Sequence, residues 1–185
     1  MTRVDSSQPL PDVIAMDLTI VFCGINPGMS AAAAGHHFVG RSNRFWRVLH
    51  LAGFTPEQIR PEYDRSLLEY GCGLTTAVER PTTRADELSN DEFTSASEKL
   101  ARKIGQYAPR YVAFLGKVPF SVISGQRKVQ WGPQAARFGG ASVWVLPNPS
   151  GLNRAFKLDD LVQAYRALRV AANSGSAPLY AHAMV

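Results

Sequence analysis

The chain has 185 residues, of which 45% are hydrophobic and 19% charged, which fits one globular domain with a real core and excludes a disordered protein. The formal net charge is +5, and the two cysteines, Cys23 and Cys72, are too few for a disulfide framework or a four-cysteine metal site. No run approaches the roughly 20 apolar residues of a membrane span, and the amino terminus lacks a signal-peptide pattern, so we expect a cytoplasmic protein without membrane contact.

Both ends of the chain lack sustained hydrophobic periodicity. The first 17 residues contain Ser6-Ser7-Gln8-Pro9, and the tail from Asn173 reads Asn-Ser-Gly-Ser-Ala-Pro. Such polar, Pro-containing ends are typical of loose termini. We therefore predict a flexible extension over 1–17, one folded domain over 18–172 and a flexible tail over 173–185.

Four short segments are predicted as strands. Leu18–Cys23 is a β-branched apolar run that stops at a glycine, Tyr111–Leu115 repeats this design, and Ser142–Leu146 stops at a proline. A fourth, weaker candidate lies near 73–78. Continuous apolar runs of this length are typical of strands that are buried on both faces.

Helical patterns separate these strands. Apolar residues recur at helical spacing over 43–52 and 159–171. Ser89 and Glu92 have the spacing of a capping box, which predicts a helix from Ser89 to about Tyr107. Strands that alternate with helices favour an α/β fold, with a central, mainly parallel sheet of four strands covered on both faces.

Two short segments stand where predicted strands end. Residues 24–28 read Gly-Ile-Asn-Pro-Gly, and residues 148–154 read Asn-Pro-Ser-Gly-Leu-Asn-Arg. Open α/β sheets present such loops to a ligand crevice. The first loop also fits a tight turn or a phosphate cradle, although the glycine patterns of dinucleotide- and nucleoside-triphosphate-binding loops are absent.

The positive charge is concentrated in the second half of the chain. Residues 1–100 carry nine Lys or Arg and 13 Asp or Glu, a net charge of −4, whereas residues 101–185 carry 11 and two, a net charge of +9. Several of these cations lie near the second loop, namely Arg127, Lys128, Arg137, Arg154 and Lys157. This imbalance favours a polyanion such as DNA over a merely solvated face.

Four stretches resemble the mismatch-specific uracil/thymine DNA glycosylases of the uracil-DNA glycosylase superfamily. They are Val21–Gly28, Asn43–Trp46, Leu115–Lys117 and Val145–Leu152. The resemblance extends from about residue 18 to 170. It implies a three-layer α/β/α domain that flips uracil, and more slowly thymine, out of G·U and G·T mispairs in double-stranded DNA. It also implies hydrolysis of the base–sugar bond by a monomer, with no cofactor and no metal.

The resemblance assigns catalytic roles to two amides. Asn26 would hold the attacking water through its side-chain carbonyl, where faster relatives carry an acid, and Asn148 would stand where they carry a histidine that stabilises the departing base. An uncharged amide at both positions predicts slow turnover. Asp91 is a further candidate for helping to deprotonate the water, although its place at the expected start of a helix favours an ordinary interaction with the helix dipole over this role.

The remaining roles divide between the base pocket and the DNA. Phe38 would stack on the flipped base, His37 would line the entrance, and backbone groups of the first loop would contact the base; these are Gly24, Ile25, Pro27 and Gly28. Leu152 would wedge into the base stack, with Gly151 and Arg154 at the opposite base. Ser150, Lys117 and Arg44 would contact phosphate, although a solvated helix face explains Arg44 equally.

Other functions fit these residues less well. Ser150 lacks the Gly-x-Ser-x-Gly context of a hydrolase nucleophile, and His36 and His37 have no partner at metal-ligand spacing. The alternative that stays open is a mismatch-binding module that does not cleave the base–sugar bond.

Overall fold

The computed structural model describes residues 9–174, so the predictions for 1–8 and 175–185 lie outside the described residues. The strands and α-helices follow in chain order: β1 Ile20–Gly24, α1 Met29–Ala34, α2 Phe45–Leu51, β2 Cys72–Thr76, α3 Asn90–Tyr107, β3 Tyr111–Leu115, α4 Lys117–Ser124, β4 Gly132–Phe138, β5 Ala141–Leu146 and α5 Leu158–Ser174. Two 3-10 helices, Pro61–Tyr70 and Ala85–Glu87, lie in the connections.

The sheet has five strands in the order β2-β1-β3-β5-β4. The four predicted strands are all present and pair in parallel, which confirms the fold class. The strand number was wrong, because β4 pairs antiparallel with β5 at the sheet edge. Its residues alternate between exposed and partly buried, so β4 has no continuous apolar run by which it could be recognised.

Side chains of β1 alternate between two cores, one on each face of the sheet. Ile20 and Phe22 face the core that is shared with α2 and α5, whereas Val21 and Cys23 face the core under α3 and α4. Because successive strand residues point to opposite faces, each strand contributes to both cores. The result is the predicted three-layer α/β/α arrangement.

The capping box that predicted α3 is present. The Glu92 amide donates to Ser89 Oγ at 3.3 Å, and Glu92 Oε2 accepts from the Ser89 amide at 2.8 Å. The helix ends at Tyr107, as predicted, with Ala108 in the left-handed conformation. The helical patterns over 43–52 and 159–171 correspond to α2 and α5.

Part of the predicted N-terminal extension packs on the domain. Leu10 and Val13 are buried, and Val13 exchanges two backbone hydrogen bonds with Leu74 of β2, at 2.9 and 2.7 Å. Packing therefore begins before residue 18. Two buried side chains are too few to give a periodic pattern, which is why the sequence predicts a flexible extension over this segment.

The topology places a crevice at the carboxyl end of β1. The chain leaves β1 to form β2 on one side and then returns to form β3 on the other. Loops that leave neighbouring strands in opposite directions open a crevice at that point. Both predicted loops lie at this edge, since residues 24–28 follow β1 and residues 147–154 follow β5.

Two further observations concern residues 9–174 alone. No helix within this range is long and apolar enough to cross a membrane. No group of three or more His, Cys, Asp or Glu side chains within it is arranged to hold a metal ion.

Candidate active site

A cleft of about 700 Å³ opens at the carboxyl edge of the sheet. Four segments line it: the loop after β1, the turn before α2, residues 82–86 and the loop after β5. Most of the residues predicted for the site line this cleft, namely Gly24, Ile25, Asn26, Pro27, Gly28, His37, Phe38, Asn148, Ser150, Gly151 and Leu152. The fold thus brings both loops to one cavity.

The Asn26 side chain is held through its nitrogen. Nδ2 donates to the Arg80 carbonyl oxygen at 2.8 Å and to Thr82 Oγ1 at 2.7 Å. Since a backbone carbonyl can only accept, the atom beside it must be the amide nitrogen. The Thr82 hydroxyl in turn donates to the Arg84 carbonyl at 2.7 Å. Oδ1 of Asn26 has no protein donor among the described residues and remains an acceptor at the cleft.

Asn148 is held in the opposite sense, through its oxygen. Oδ1 accepts a hydrogen bond from the Ser150 amide at 2.9 Å, and a backbone amide can only donate. Nδ2 of Asn148 has no protein acceptor within residues 9–174. It is therefore a free donor of two hydrogens at the cleft wall.

Together the two amides give the cleft a defined polarity. Asn26 presents a hydrogen-bond acceptor and Asn148 a donor, and the other end of each amide is held by the protein, that of Asn26 by the Arg80 carbonyl and Thr82 and that of Asn148 by the Ser150 amide. Dipoles that are oriented before a ligand arrives need no reorganisation during a reaction. The arrangement suits a reaction in which one side of the ligand becomes positive and the other negative.

Phe38 forms an aromatic wall of the cleft. Its ring stacks on Phe45 with centroids 4.1 Å apart and planes 25° apart. One ring face is thus covered, while the side chain still lines the cavity. Phe38 has φ +57°, a left-handed conformation that is uncommon for a bulky residue and needs support from its surroundings.

That support comes from the neighbouring His37. The His37 amide donates to Asp64 Oδ2 at 3.0 Å, its carbonyl accepts from Trp46 Nε1 at 3.1 Å, and its ring Nε2 donates to the Pro11 carbonyl at 2.9 Å. Burial lowers the pKa of His37 below its ordinary value, so the ring is neutral at pH 7. The residue predicted at the pocket entrance thus holds the turn that carries Phe38.

Comparison with known proteins agrees with this fold. Residues 11–169 match the family described as the uracil DNA glycosylase superfamily. The chain belongs to this superfamily. A solution NMR structure from Methanosarcina acetivorans, provisionally described as a uracil DNA glycosylase, has a TM-score of 0.59 and 18% identity over 88% of this chain and 98% of that chain. At that identity the likeness supports the fold alone.

In this superfamily member the second loop is organised by Arg44. Its guanidinium uses four of its five N–H donors on carbonyl oxygens, those of Pro149 at 3.3 Å, Phe156 at 2.7 Å, and Ser150 and Asn153 at 2.9 Å each. These four donors face the protein, and the predicted phosphate contact of Arg44 stays a prediction. The partners are more than 100 residues away in sequence, so no local pattern indicates them.

The tip of the second loop is tightly supported yet exposed. A Cβ on Gly151 would lie 2.6 Å from both the carbonyl oxygen and Oγ of Ser42, so only glycine fits against that turn. Leu152 is 73% exposed, and its amide donates to Ser150 Oγ at 3.2 Å. An exposed leucine on a supported loop is consistent with the predicted wedge.

Asp91 does not reach the site. It is exposed on the first turn of α3 and is absent from the cleft lining. The next residue, Glu92, closes the capping box with Ser89. The carboxylate that does line the cleft is Asp86, and it is paired with Arg84 at 2.7 Å. The hydrogen bond from Arg84 lowers the pKa of Asp86, so this group is ionised near neutral pH.

The loop over 80–84 is the part of the site that sequence reasoning missed. Arg80 pairs with Glu92 at 2.6 Å, which ties the loop to the start of α3, and Thr82 lies 56 residues from the amide that it holds. The two meet because the chain after β2 continues beside the loop after β1, where Thr82 bridges to Gly28 and its amide donates to the Pro27 carbonyl. Two other predicted DNA contacts, Arg154 and Lys117, do not line the cleft. Arg154 is exposed, and Lys117 is the first residue of α4.

Proposed function

We propose that this protein is a monofunctional DNA glycosylase that removes uracil from G·U mispairs in double-stranded DNA, and thymine from G·T mispairs more slowly. The observation that carries the proposal is the opposite anchoring of Asn26 and Asn148. Superfamily membership supports uracil in DNA as the substrate class. The mismatch specificity is our inference from the two loops.

Breaking the base–sugar bond builds positive charge on the sugar and negative charge on the departing base. The free Oδ1 of Asn26 can accept a hydrogen bond from a water and aim it at the anomeric carbon. Positioning of this kind can supply much of a barrier reduction without a strong base. The free Nδ2 of Asn148 can donate to a base carbonyl as negative charge develops there.

The base itself would be held by Phe38 and by backbone groups of the first loop. The Phe38 ring face that Phe45 leaves open can stack on a flipped pyrimidine. Recognition by one ring and backbone groups rejects substituted pyrimidines weakly. This supports activity on thymine as well as uracil.

Both amides lack a full charge, so the chemical step is expected to be slow. An amide accepts no proton from water and offers no net negative charge to a cationic sugar. Asn26→Asp would not accelerate this enzyme, because a carboxylate oxygen would replace Nδ2 at 2.8 Å from the Arg80 carbonyl. Two acceptors cannot share that contact without a rearrangement.

The test is single-turnover base release in EDTA from duplexes that carry U opposite G, U opposite A, or T opposite G, and from single-stranded U. We expect release from the G·U duplex to be fastest and to be lost in Asn26→Ala. Asn148→Ala should slow it about a hundredfold, the effect of removing one preorganised donor. Asn90→Ala, on the exposed start of α3, is the matched control and should retain the wild-type rate.

Binding measured beside release separates the two functional classes. A glycosylase predicts that Asn26→Ala still binds the G·U duplex while it releases no base. Tight mismatch binding without release by the wild-type protein would establish the binding module instead. Equal release from G·U and A·U duplexes would leave the glycosylase but remove its mismatch specificity.

A further inference from the structure

A partly exposed aromatic and cationic patch lies beside the second loop, outside the cleft. It consists of Lys117, Trp131 and Phe156, and we refer to it as the Trp131 patch. The Lys117 Nζ lies 4.5 Å from the centre of the Trp131 ring, and Phe156 packs edge-on against that ring at 5.3 Å. Trp131 is 41% exposed, which is unusual for so large an apolar side chain.

The patch lies at the same edge of the sheet as the cleft. Lys117 begins α4 directly after the carboxyl end of β3. Trp131 precedes β4, whose Gly132 pairs with Val145, one residue before the end of β5. The Phe156 carbonyl accepts from Arg44, the residue that holds the loop of Leu152. Arg44 therefore links the patch to the Leu152 loop, since it also bonds the Ser150 carbonyl.

Charge around the patch favours a polyanion. Arg127, Lys128 and Lys157 are exposed neighbours in sequence of Trp131 and Phe156, and none forms a salt bridge within residues 9–174. The sequence has no Asp or Glu between Glu98 and Asp159. A partly exposed indole with such cations near it in sequence suits a sugar–phosphate chain, because an aromatic ring packs on sugar or base faces and cations attract phosphates.

We propose that the Trp131 patch binds the DNA backbone beside the extruded nucleotide, with the indole packed on a sugar or base and Lys117 on a phosphate. The inference rests on the proposed function, since it takes DNA as the ligand. It adds a contact surface that the cleft and the Leu152 loop do not provide. The pairing of Lys117 with Trp131 keeps the two side chains in one orientation before DNA arrives.

Tryptophan fluorescence gives a direct test, because the other two tryptophans are buried. Trp46 and Trp144 are 4% and 8% exposed, so a change on DNA binding should come from Trp131. The probe is a duplex with an abasic site opposite G, which cannot undergo base release. We expect a saturable change in emission with the wild-type protein and none with Trp131→Phe. Trp131→Ala should weaken binding, measured by anisotropy, at least about fivefold.

A pair of charge variants tests the phosphate contact. Lys117→Met should lower the slope of log affinity against log salt by about 0.9, the value for one phosphate contact. Arg102→Met is the matched control, since Arg102 is exposed near the end of α3 and the end of that helix leads to the opposite edge of the sheet. Its salt slope should equal that of the wild type.

The outcomes separate this inference from the proposed function. An unchanged emission response in Trp131→Phe, or equal slopes for Lys117→Met and Arg102→Met, would overturn the patch even if base release is normal. If the emission change is lost in Trp131→Phe and the salt slope falls in Lys117→Met, but the wild-type protein releases no base, the patch would be supported and the glycosylase function refuted. A patch that binds another protein would leave wild-type DNA affinity intact in Trp131→Ala.

Discussion

Replacing Thr82 by valine tests whether the orientation of the Asn26 amide controls base release. Valine has nearly the shape of threonine but no hydroxyl, and the site is buried at 4% exposure. The change removes the 2.7 Å contact to Nδ2, together with the bond from the Thr82 hydroxyl to the Arg84 carbonyl, and leaves Nδ2 only the Arg80 carbonyl at 2.8 Å. One hydrogen of Nδ2 then has no acceptor, so the amide can rotate away from the productive position.

The size of the effect follows from the bond that is lost. A neutral hydrogen bond contributes about 1 to 1.5 kcal/mol in proteins, which corresponds to a roughly 5- to 12-fold slower step. Because Thr82 holds the amide rather than the DNA, binding of the G·U duplex should stay within about twofold of wild type. Thr82→Ser keeps the hydroxyl and should recover most of the rate.

The assay is single-turnover base release with saturating protein, with DNA affinity measured separately. Thr94→Val is the matched control, since its hydroxyl bonds the Asn90 carbonyl on the exposed face of α3. A Thr82→Val protein at the wild-type rate would refute the reasoning. A Thr82→Ser protein as slow as Thr82→Val would also refute it, by showing that shape rather than the hydroxyl matters.

Three further predictions concern the surroundings of the cleft. Arg44→Lys should lower the thermal midpoint of unfolding by roughly 6 to 12 °C, because it loses charged hydrogen bonds to carbonyls worth about 3 kcal/mol. The slope of log DNA affinity against log salt should stay unchanged, and a reduced slope would show that Arg44 contacts a phosphate. Gly151→Ala should slow base release from duplex DNA about tenfold more than from single-stranded DNA, because the added Cβ displaces the loop from Ser42. Equal slowing on both substrates would contradict this. The free energy of unfolding of the wild type should fall as the pH drops below 6.5, because burial lowers the pKa of His37 in the folded protein and the unfolded chain then binds a proton more readily. Calorimetry over a pH series should show a smaller fall for His37→Gln.

The regular elements follow closely from local sequence pattern. The runs at 111–115 and 142–146 become β3 and most of β5, and the Ser89 capping box begins α3. The strand predictions succeed because burial on both faces requires an apolar residue at nearly every strand position. β4 was missed for the same reason, since its residues alternate between exposed and partly buried and leave no continuous apolar run.

The candidate site was predictable to the extent that it lies on two loops next to strand ends. Asn26, Phe38 and Asn148 line one cleft, as the resemblance implies. Asp91 and Arg44 were placed by sequence neighbourhood, and the structure assigns the first to an exposed helix start and the second to the support of the Leu152 loop. Their surroundings are set by segments distant in sequence.

The sequence by itself determined the alternation of strands and helices, the two loops and the excess of positive charge after residue 100, because these depend on local pattern and composition. Asn148 also belongs to this local part, since the Ser150 amide that holds its oxygen is only two residues away. Only the tertiary structure decided which atom of Asn26 is free, because the Arg80 carbonyl and Thr82 that hold its nitrogen are more than 50 positions away along the chain. The polarity of that amide is a property of packed neighbours, and parallel β pairing makes those neighbours distant in sequence.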